Sequence, residues 1–361
     1  LHAVCNRNYD QLTVDRRAQV AEILGLNAFE FGSKLASALD SVQEHFEAAK
    51  ERVLNARFPH AEGVEAVGGE MRITPDANAG DAALGIANGT RLGLKVGAHQ
   101  AKPTPEVDSA PAMRAIRAGE DTIRNFVKAG ILEELLPELM ACKTLMPQDA
   151  AHEYTVLEHT LRVVKNLQSL EGDGFLGGVF EAVRDPAQLY LAALLHDVGK
   201  ADEGRDHSEA GAEIARDVCQ RWGLAESTSE TVVWLVENHL VMSRFMMMRD
   251  LSRPETTDEF ANLVGDLERL QMLTLLTWAD ASAVHAQAWT PAQSSLLQDL
   301  YRGTAHKLEG SDFSAGDQKE YRLRQLMTGK DHDVPPEELQ RFIDGMPSQY
   351  LTGTPSQNIP A

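Results

Sequence analysis

The chain has 361 residues and carries 34 Lys or Arg against 54 Asp or Glu, a formal net charge of -20. So acidic a surface repels nucleic acid and anionic membranes, which argues against both as partners. Hydrophobic residues make up 43% of the chain, enough for a core and too many for a disordered polymer.

Three scattered cysteines, Cys5, Cys142 and Cys219, form no CxxC pair. That pattern suits a reducing cytoplasm and argues against a disulfide framework or a Cys-rich zinc site. No run approaches the ~18 uninterrupted apolar residues of a membrane helix, and no signal peptide opens the chain. The first residue is Leu1 rather than Met, so the chain is read as a trimmed piece of a longer one.

Residues 1–58 read as a helical segment. Thr13 can cap a helix carrying Val20, Ile23 and Leu24, and a second helix from about Phe29 sets Phe31, Leu35, Leu39, Val42 and Phe46 at helical spacing. Residues 59–110 are rich in Gly, Ala and Pro. Short alternating pieces there, Glu65-Ala-Val67 and Leu92-Gly-Leu-Lys-Val96, predict a linker with a few strands and loops.

From 111 to 330 the pattern is helical throughout. Thr155 with Glu158 forms a capping box, as does Ser227 with Glu230. Asp185-Pro186 supplies an N-cap and a first-turn proline, and Thr290-Pro291 repeats the device. Ser208 is expected to cap a helix carrying Ala212, Ala215, Val218, Cys219 and Trp222. A further helix from about Asp266 carries Leu270, Leu273, Leu276, Thr277 and Asp280. Residues 331–361 read as a short helix from Asp333 and an extended tail. The expected fold is mainly α, with a small mixed, partly extended segment in front of the helical domain.

One constellation stands out. His196 and Asp197 end the apolar run Leu189-Tyr-Leu-Ala-Ala-Leu-Leu195 and are followed by Val198-Gly-Lys200. An imidazole and a carboxylate placed there cost free energy unless something pairs with them. A divalent metal does so, since neutral His nitrogen and carboxylate oxygen are its usual ligands. His159 sits among Leu161, Val163 and Val164 on another helix. His207 lies just before a helix start, and His239 ends Val232-Val-Trp-Leu-Val236-Glu-Asn-His. Asp280 falls on an apolar stripe, one turn after Leu276. Taken singly, a His on an apolar helix is ordinarily a hydrogen-bonded core residue, and a buried Asp ordinarily caps a helix or meets an Arg. Several of them on separate helices facing one interior are hard to satisfy pairwise, and the set suits manganese, magnesium, iron or zinc.

Other features carry less. Met246-Met-Met248 reads as gap-filling core. The stretch from Gly63 to Gly97 lacks GxGxxG and GxxxxGK, so it predicts no nucleotide loop. His2, His45, His60, His99, His152, His285, His306 and His332 fall in loops or on polar faces.

The spacing of His159, His196-Asp197 and Asp280 resembles the HD superfamily of metal-dependent phosphohydrolases. The sequence around them resembles one member family more closely. It includes Tyr154-Thr-Val-Leu-Glu-His-Thr-Leu161, Leu189 through Lys200, Asp206-His-Ser-Glu-Ala-Gly-Ala212 and Asn238-His-Leu-Val-Met-Ser243. Arg249-Asp-Leu251, Leu276-Thr-Trp-Ala-Asp280, Trp289 and Ser295-Leu-Leu-Gln-Asp-Leu-Tyr301 continue it. That family is the bifunctional uridylyltransferase/uridylyl-removing enzyme acting on the nitrogen signal protein PII. The family's transferase signature, a Gly-Gly-Ser loop with paired Asp, does not occur in the chain, nor does its ACT pair. Asn238-His239 stands where many two-metal HD members have adjacent His.

The resemblance implies hydrolysis of uridylyl-PII to PII and UMP in the cytoplasm, by a chain keeping the uridylyl-removing half. It places His159, His196, Asp197 and Asp280 around one divalent ion, manganese or magnesium first, iron or zinc as alternatives. His207 and His239 are then expected to hold a second ion or the phosphate, and to serve catalysis with Lys200. Lys200 and Arg205 are expected to contact the phosphate. The rival expectations are an HD enzyme acting on a free nucleotide and a degenerate HD domain that binds a protein partner.

Overall fold

A computed structural model describes residues 20–309 other than 58–62, 99, 148–152, 171–173, 203, 252 and 286–287, together with Arg341 and Gly345. The expected helix at Thr13, the helix at Asp333 and the tail lie outside the described residues. Helix α1 spans Ala28–Arg57, where the apolar spacing from Phe29 placed it. The turn before it closes through Gly25 at φ +68°, and Leu26 N–H donates to the Ala21 carbonyl at 2.9 Å. Only Gly adopts that left-handed backbone without strain.

A small sheet follows. Strands β1 (Val64–Val67) and β2 (Glu70–Ile73) form a hairpin through Gly68-Gly69, both at positive φ as a tight hairpin turn requires. Strand β3 (Lys95–Val96) pairs parallel to β2, Met71 opposite Val96. Parallel neighbours need a crossover, and helix α2 (Ala79–Arg91) provides it. Sequence patterning expected only strands and loops here, because seven of the thirteen α2 residues are Ala or Gly. The glycines are packing devices: a Cβ on Gly80 would strike the Asp108 backbone, and one on Gly89 would strike the Met71 side chain. Tertiary contact overrides the weak helix propensity of these glycines, and the alanines favour the helix.

Helices α3 (Ser109–Ile116), α4 (Glu120–Ala129), α5 (Leu132–Leu135) and α6 (Pro137–Ala141) lead into the main bundle. It contains α7 (Val156–Gln168), α8 (Gly174–Ala182), α9 (Pro186–Leu195), a 3-10 turn (Val198–Ala201) and α10 (His207–Arg221). Then come α11 (Glu226–Asn238), α12 (Val241–Met248), α13 (Pro254–Val264), α14 (Leu267–Ala283) and α15 (Pro291–Leu308). The fold is mainly α. Met71 and Ile86 of the sheet unit belong to the same buried cluster as Phe126, Leu194 and Leu273, so one core runs through both parts.

Helix α9 is the central element. From Leu189 to Leu195 no residue is more than 4% exposed, the signature of a helix surrounded on all sides. Each such Leu contributes about 1.5–3 kcal/mol by its burial, so the run is held firmly where its C-terminal end is needed. Asp185 caps it through the Ala187 N–H, with Pro186 in the first turn. Asp266 caps α14, and Thr290 with Gln293 forms a full capping box on α15.

Three capping expectations need correction. Thr155 caps α7, but the Glu158 carboxylate turns to Arg124 instead of closing the box. Helix α10 is capped by Asp206, whose carboxylate accepts from Ser208 N–H at 2.8 Å, so Ser208 lies inside the first turn. Helix α11 starts one residue before Ser227, with Ala225 at the cap position and no side-chain cap. An ionised carboxylate accepts a backbone N–H more strongly than a hydroxyl does, which favours Asp206 over Ser208.

Candidate metal centre

Five elements converge at the inner end of α9. His159 lies one turn into α7, His196 is the C-cap of α9, and Asp197 leads into the 3-10 turn. His207 opens α10, His239 is the C-cap of α11, and Asp280 comes from α14. Glycine brings two of these elements together. Gly199 packs on the first turn of α10, so that a Cβ would lie 2.5 Å from Gly211 N and strike the His207 carbonyl. The 3-10 turn therefore lies directly on α10 and carries Asp197 to His207.

The side chains form two adjoining groups. His159, His196 and Asp280 offer ligand atoms within 4.8 Å of one another, and so do Asp197, His207 and His239. Either trio could hold a metal ion. His159 Nε2 is 2.8 Å from Asp280 Oδ1, and His196 Nε2 is 3.6 Å from the same oxygen.

Asp197 faces both groups. Its Oδ2 lies 3.3 Å from His196 Nε2 and 3.8 Å from His159 Nε2. Its Oδ1 lies 3.9 Å from both His207 Nε2 and His239 Nε2. The imidazoles step through the site with centroids 5.4 Å apart, from His159 to His196 to His239 to His207.

The floor of the site is dry and its rim is wet. His159, His196, Asp197 and His239 are buried, whereas the side chains of Asp280, Lys200 and His207 are 18%, 19% and 29% exposed. Any substrate approaches from the side of those three.

Ring orientation tests whether a cation belongs here. His196 Nδ1 donates to the Ala193 carbonyl at 2.8 Å, and His239 Nδ1 donates to the Val236 carbonyl at 2.7 Å. A carbonyl only accepts, so both Nδ1 atoms carry hydrogen and Nε2 of the neutral ring has its lone pair free. Both Nε2 atoms are buried without a hydrogen-bond partner. Buried polar atoms are rarely left so. A carbonyl behind the ring and an open Nε2 in front is the arrangement of a metal-ligating histidine. The donor set fits a divalent cation.

In the metal-free centre a proton on His196 takes the place of the cation. Burial alone would depress the His196 imidazole, but the carboxylates of Asp197 and Asp280 outweigh it and raise its pKa to about 10. Burial alone would raise both acids; instead the neighbouring His196, joined at Asp280 by the His159 hydrogen bond, holds them well below the usual carboxylate range. Burial, and then the charge on His196, pushes His239 down to about 4, and burial lowers His207. Two ionised carboxylates in a dry site attract any cation placed between them, while His239 and His207 stay neutral, as ligands must.

Lys200 Nζ donates to Asp197 Oδ2 at 2.7 Å, at the rim. Arg205 is held elsewhere: Glu213 takes its fork at 2.9 and 2.8 Å, with Asp202 at 3.4 Å, in an exposed cluster. Asn238 donates to the Trp234 carbonyl at 2.9 Å, turned back along its own helix.

Sequence reasoning did not single out the support around the site. Arg124 binds Glu158 through two hydrogen bonds at 3.0 and 2.8 Å and so anchors the start of α7, one residue from His159. Buried Cys142 lies 3.8 Å from the Val198 carbonyl, beneath the turn that carries Asp197. Gly199 and Gly211 lie within recognisable motifs, but their role depends on a contact twelve residues apart that periodicity does not reveal.

Comparison with known proteins bears on this centre. Residues 156–273 match the HD domain family model. The helical body contains an HD domain. Curated relatives share much of the chain. The bifunctional uridylyltransferase/uridylyl-removing enzyme of Methylococcus capsulatus is 39% identical over 192 residues, 52% of this chain and 22% of that protein. The enzyme of the same name from Stutzerimonas stutzeri is 36% identical over 239 residues, 63% of this chain and 26% of that protein. That from Rhodospirillum rubrum is 36% identical over 242 residues, 64% of this chain and 26% of that protein. The chain thus spans about a quarter of the length of these relatives. His159, His196, Asp197, His207 and His239 fall within the stretch matched to the HD model, and Asp280 lies seven residues beyond it. No helix among the described residues is long and apolar enough to cross a membrane.

Proposed function

We propose that the chain hydrolyses a phosphodiester with a divalent metal, removing UMP from a tyrosine of the signal protein PII. One observation carries the reaction class. Asp197 belongs to one His-containing trio and faces the other, with two buried imidazole nitrogens open toward it. The uridylyl-removing relatives support the choice of UMP and protein substrate.

A divalent ion held by these residues would supply Lewis acidity, activating water for attack and screening charge on the phosphoryl oxygens. Manganese or magnesium suits the mixed imidazole and carboxylate set, with iron or zinc as alternatives. His159, His196, Asp197 and Asp280 would hold one ion, and His207 and His239 would complete a second site with the other oxygen of Asp197. Lys200 sits at the rim, where its ammonium can bind a phosphoryl oxygen of the entering substrate. That local cation matters because a net charge of -20 repels an anionic substrate at long range. Water adds to phosphorus, the bond to the tyrosine oxygen breaks, and UMP and free tyrosine result. An unperturbed tyrosine has a pKa of about 10, a fair leaving group. A cytoplasmic setting suits the free thiols of Cys142 and Cys219.

The test is direct. Uridylyl-PII incubated with the purified chain and manganese should release UMP, and a chelator should stop the release. Intact uridylyl-PII together with hydrolysis of a free nucleotide would transfer the assignment to a small substrate.

A further inference from the structure

Helices α7 and α14 are tied by two polar contacts. One is the His159–Asp280 pair at the centre. The other uses a residue outside it: Asn166 Nδ2 donates to the Ala279 carbonyl at 2.9 Å, across 113 positions of sequence. On a helix of 3.6 residues per turn, Asn166 lies within about 20° of His159 around the axis and about 10.5 Å further along it. The two therefore share the α7 face that meets α14. Ala279 is fully buried and immediately precedes Asp280.

The geometry gives this bond a specific consequence. A helical side chain leans toward its N-terminus while the carbonyls point toward the C-terminus. The Ala279 carbonyl and the Asp280 carboxylate thus reach in opposite directions from adjacent residues, and α7 grips both. Apolar packing between the helices sets their separation, and interlocked side chains still leave room for small sliding displacements along the contact. A directional bond next to Asp280 opposes that sliding. Metal ligands tolerate displacements of only about 0.2 Å. Asn166 is itself part-exposed and could be hydrated instead, so pairing with the neighbouring helix is a choice of position.

We propose that Asn166 is a positioning residue: its bond to the Ala279 carbonyl sets the register of α14 on α7 and holds the Asp280 carboxylate at His159. The inference rests on the metal-centre reading above. The carbonyl can only accept, so an Asp at this position would set a carboxylate against it, and a Ser would fall short.

Manganese titration of the full chain, with free ion read by electron paramagnetic resonance, tests the proposal without any activity assay. Asn166→Asp and Asn166→Ser should each weaken manganese binding roughly tenfold, the scale of losses from outer-shell support, with helix content kept. Gln100→Leu cuts a cross-link in the small sheet, where Gln100 holds Ile73 and Met71. It should lower the denaturant midpoint and leave manganese affinity unchanged, which separates positioning from general stability. Asp280→Asn tests the reading underneath. If Asp280→Asn loses the manganese held with His159 and His196 while both Asn166 variants bind like wild type, the positioning role is overturned and the metal centre stands. Wild-type affinity in Asp280→Asn would overturn both. Should Asn166→Asp not fold, the neutral Asn166→Ser decides.

Discussion

Gly199 lies so close to Gly211 that a Cβ on Gly199 would come within 2.5 Å of the Gly211 amide nitrogen. This backbone contact presses the 3-10 turn onto α10 and sets the distance between Asp197 and His207. Gly199→Ala must push the turn away, and overpacking of this kind costs about 1–3 kcal/mol. Urea denaturation should show that loss, and metal content should fall with it as His207 separates from Asp197. Gly178 gives the contrast: it sits within α8, and a Cβ there would meet nothing within 4 Å. Gly178→Ala should stabilise the protein by about 0.5–1 kcal/mol, leaving metal content alone.

Asp197 has one oxygen toward each trio, whereas Asp280 belongs to one. Asp197→Ala is therefore expected to abolish metal binding altogether, and Asp280→Ala to spare the group formed by Asp197, His207 and His239. Elemental analysis after reloading with manganese reads the stoichiometry of each. Unchanged metal content in Asp197→Ala would rule out the assignment.

Lys200 donates to Asp197 Oδ2, and an ammonium that donates has no acceptor to offer a metal. Lys200→Ala should lower kcat on uridylyl-PII by about 100-fold, the scale of a lost donor to a developing oxyanion, with metal content retained. Wild-type turnover would instead mark Lys200 as a charge partner of Asp197 alone.

Metal-free protein should show a specific pH dependence. The His196 pKa is raised from 6.5 to about 10 by the two carboxylates, against the effect of burial. A raised pKa contributes stability that is complete below the unfolded value near 6.5 and is lost as pH climbs through 10. Thermal melts of the chelated chain should thus fall progressively between those limits. Bound metal replaces the proton, so loaded protein should fall far less. A chelated chain with a flat profile over that window would show that His196 is neutral between its carboxylates.

Much of this was legible in the residues. Helical periodicity marked α1, α7 and α14, and an unbroken apolar run marked α9, although Phe29, Leu39 and Val42 of α1 are exposed. His159, His196, Asp197, His207, His239 and Asp280 stood out because ionisable groups at apolar positions demand a partner. Asp185, Asp266 and Thr290 announced their helices through contacts two or three residues ahead. The sequence by itself thus determined the mainly helical class and singled out the His and Asp residues that the structure brings together.

Tertiary structure decided the rest. Helix α2 is a helix despite its glycines, since Gly80 and Gly89 sit where only a hydrogen fits against Asp108 and Met71. Arg205 went to Glu213, because an exposed fork takes the nearest carboxylate in its own neighbourhood. The grouping of the six candidate side chains into two trios, both reached by Asp197, and the bond from Asn166 to Ala279 join residues far apart in the chain. Distances of that kind follow from how helices dock, and docking depends on the shape of every side chain in the contact rather than on the pattern of any one segment.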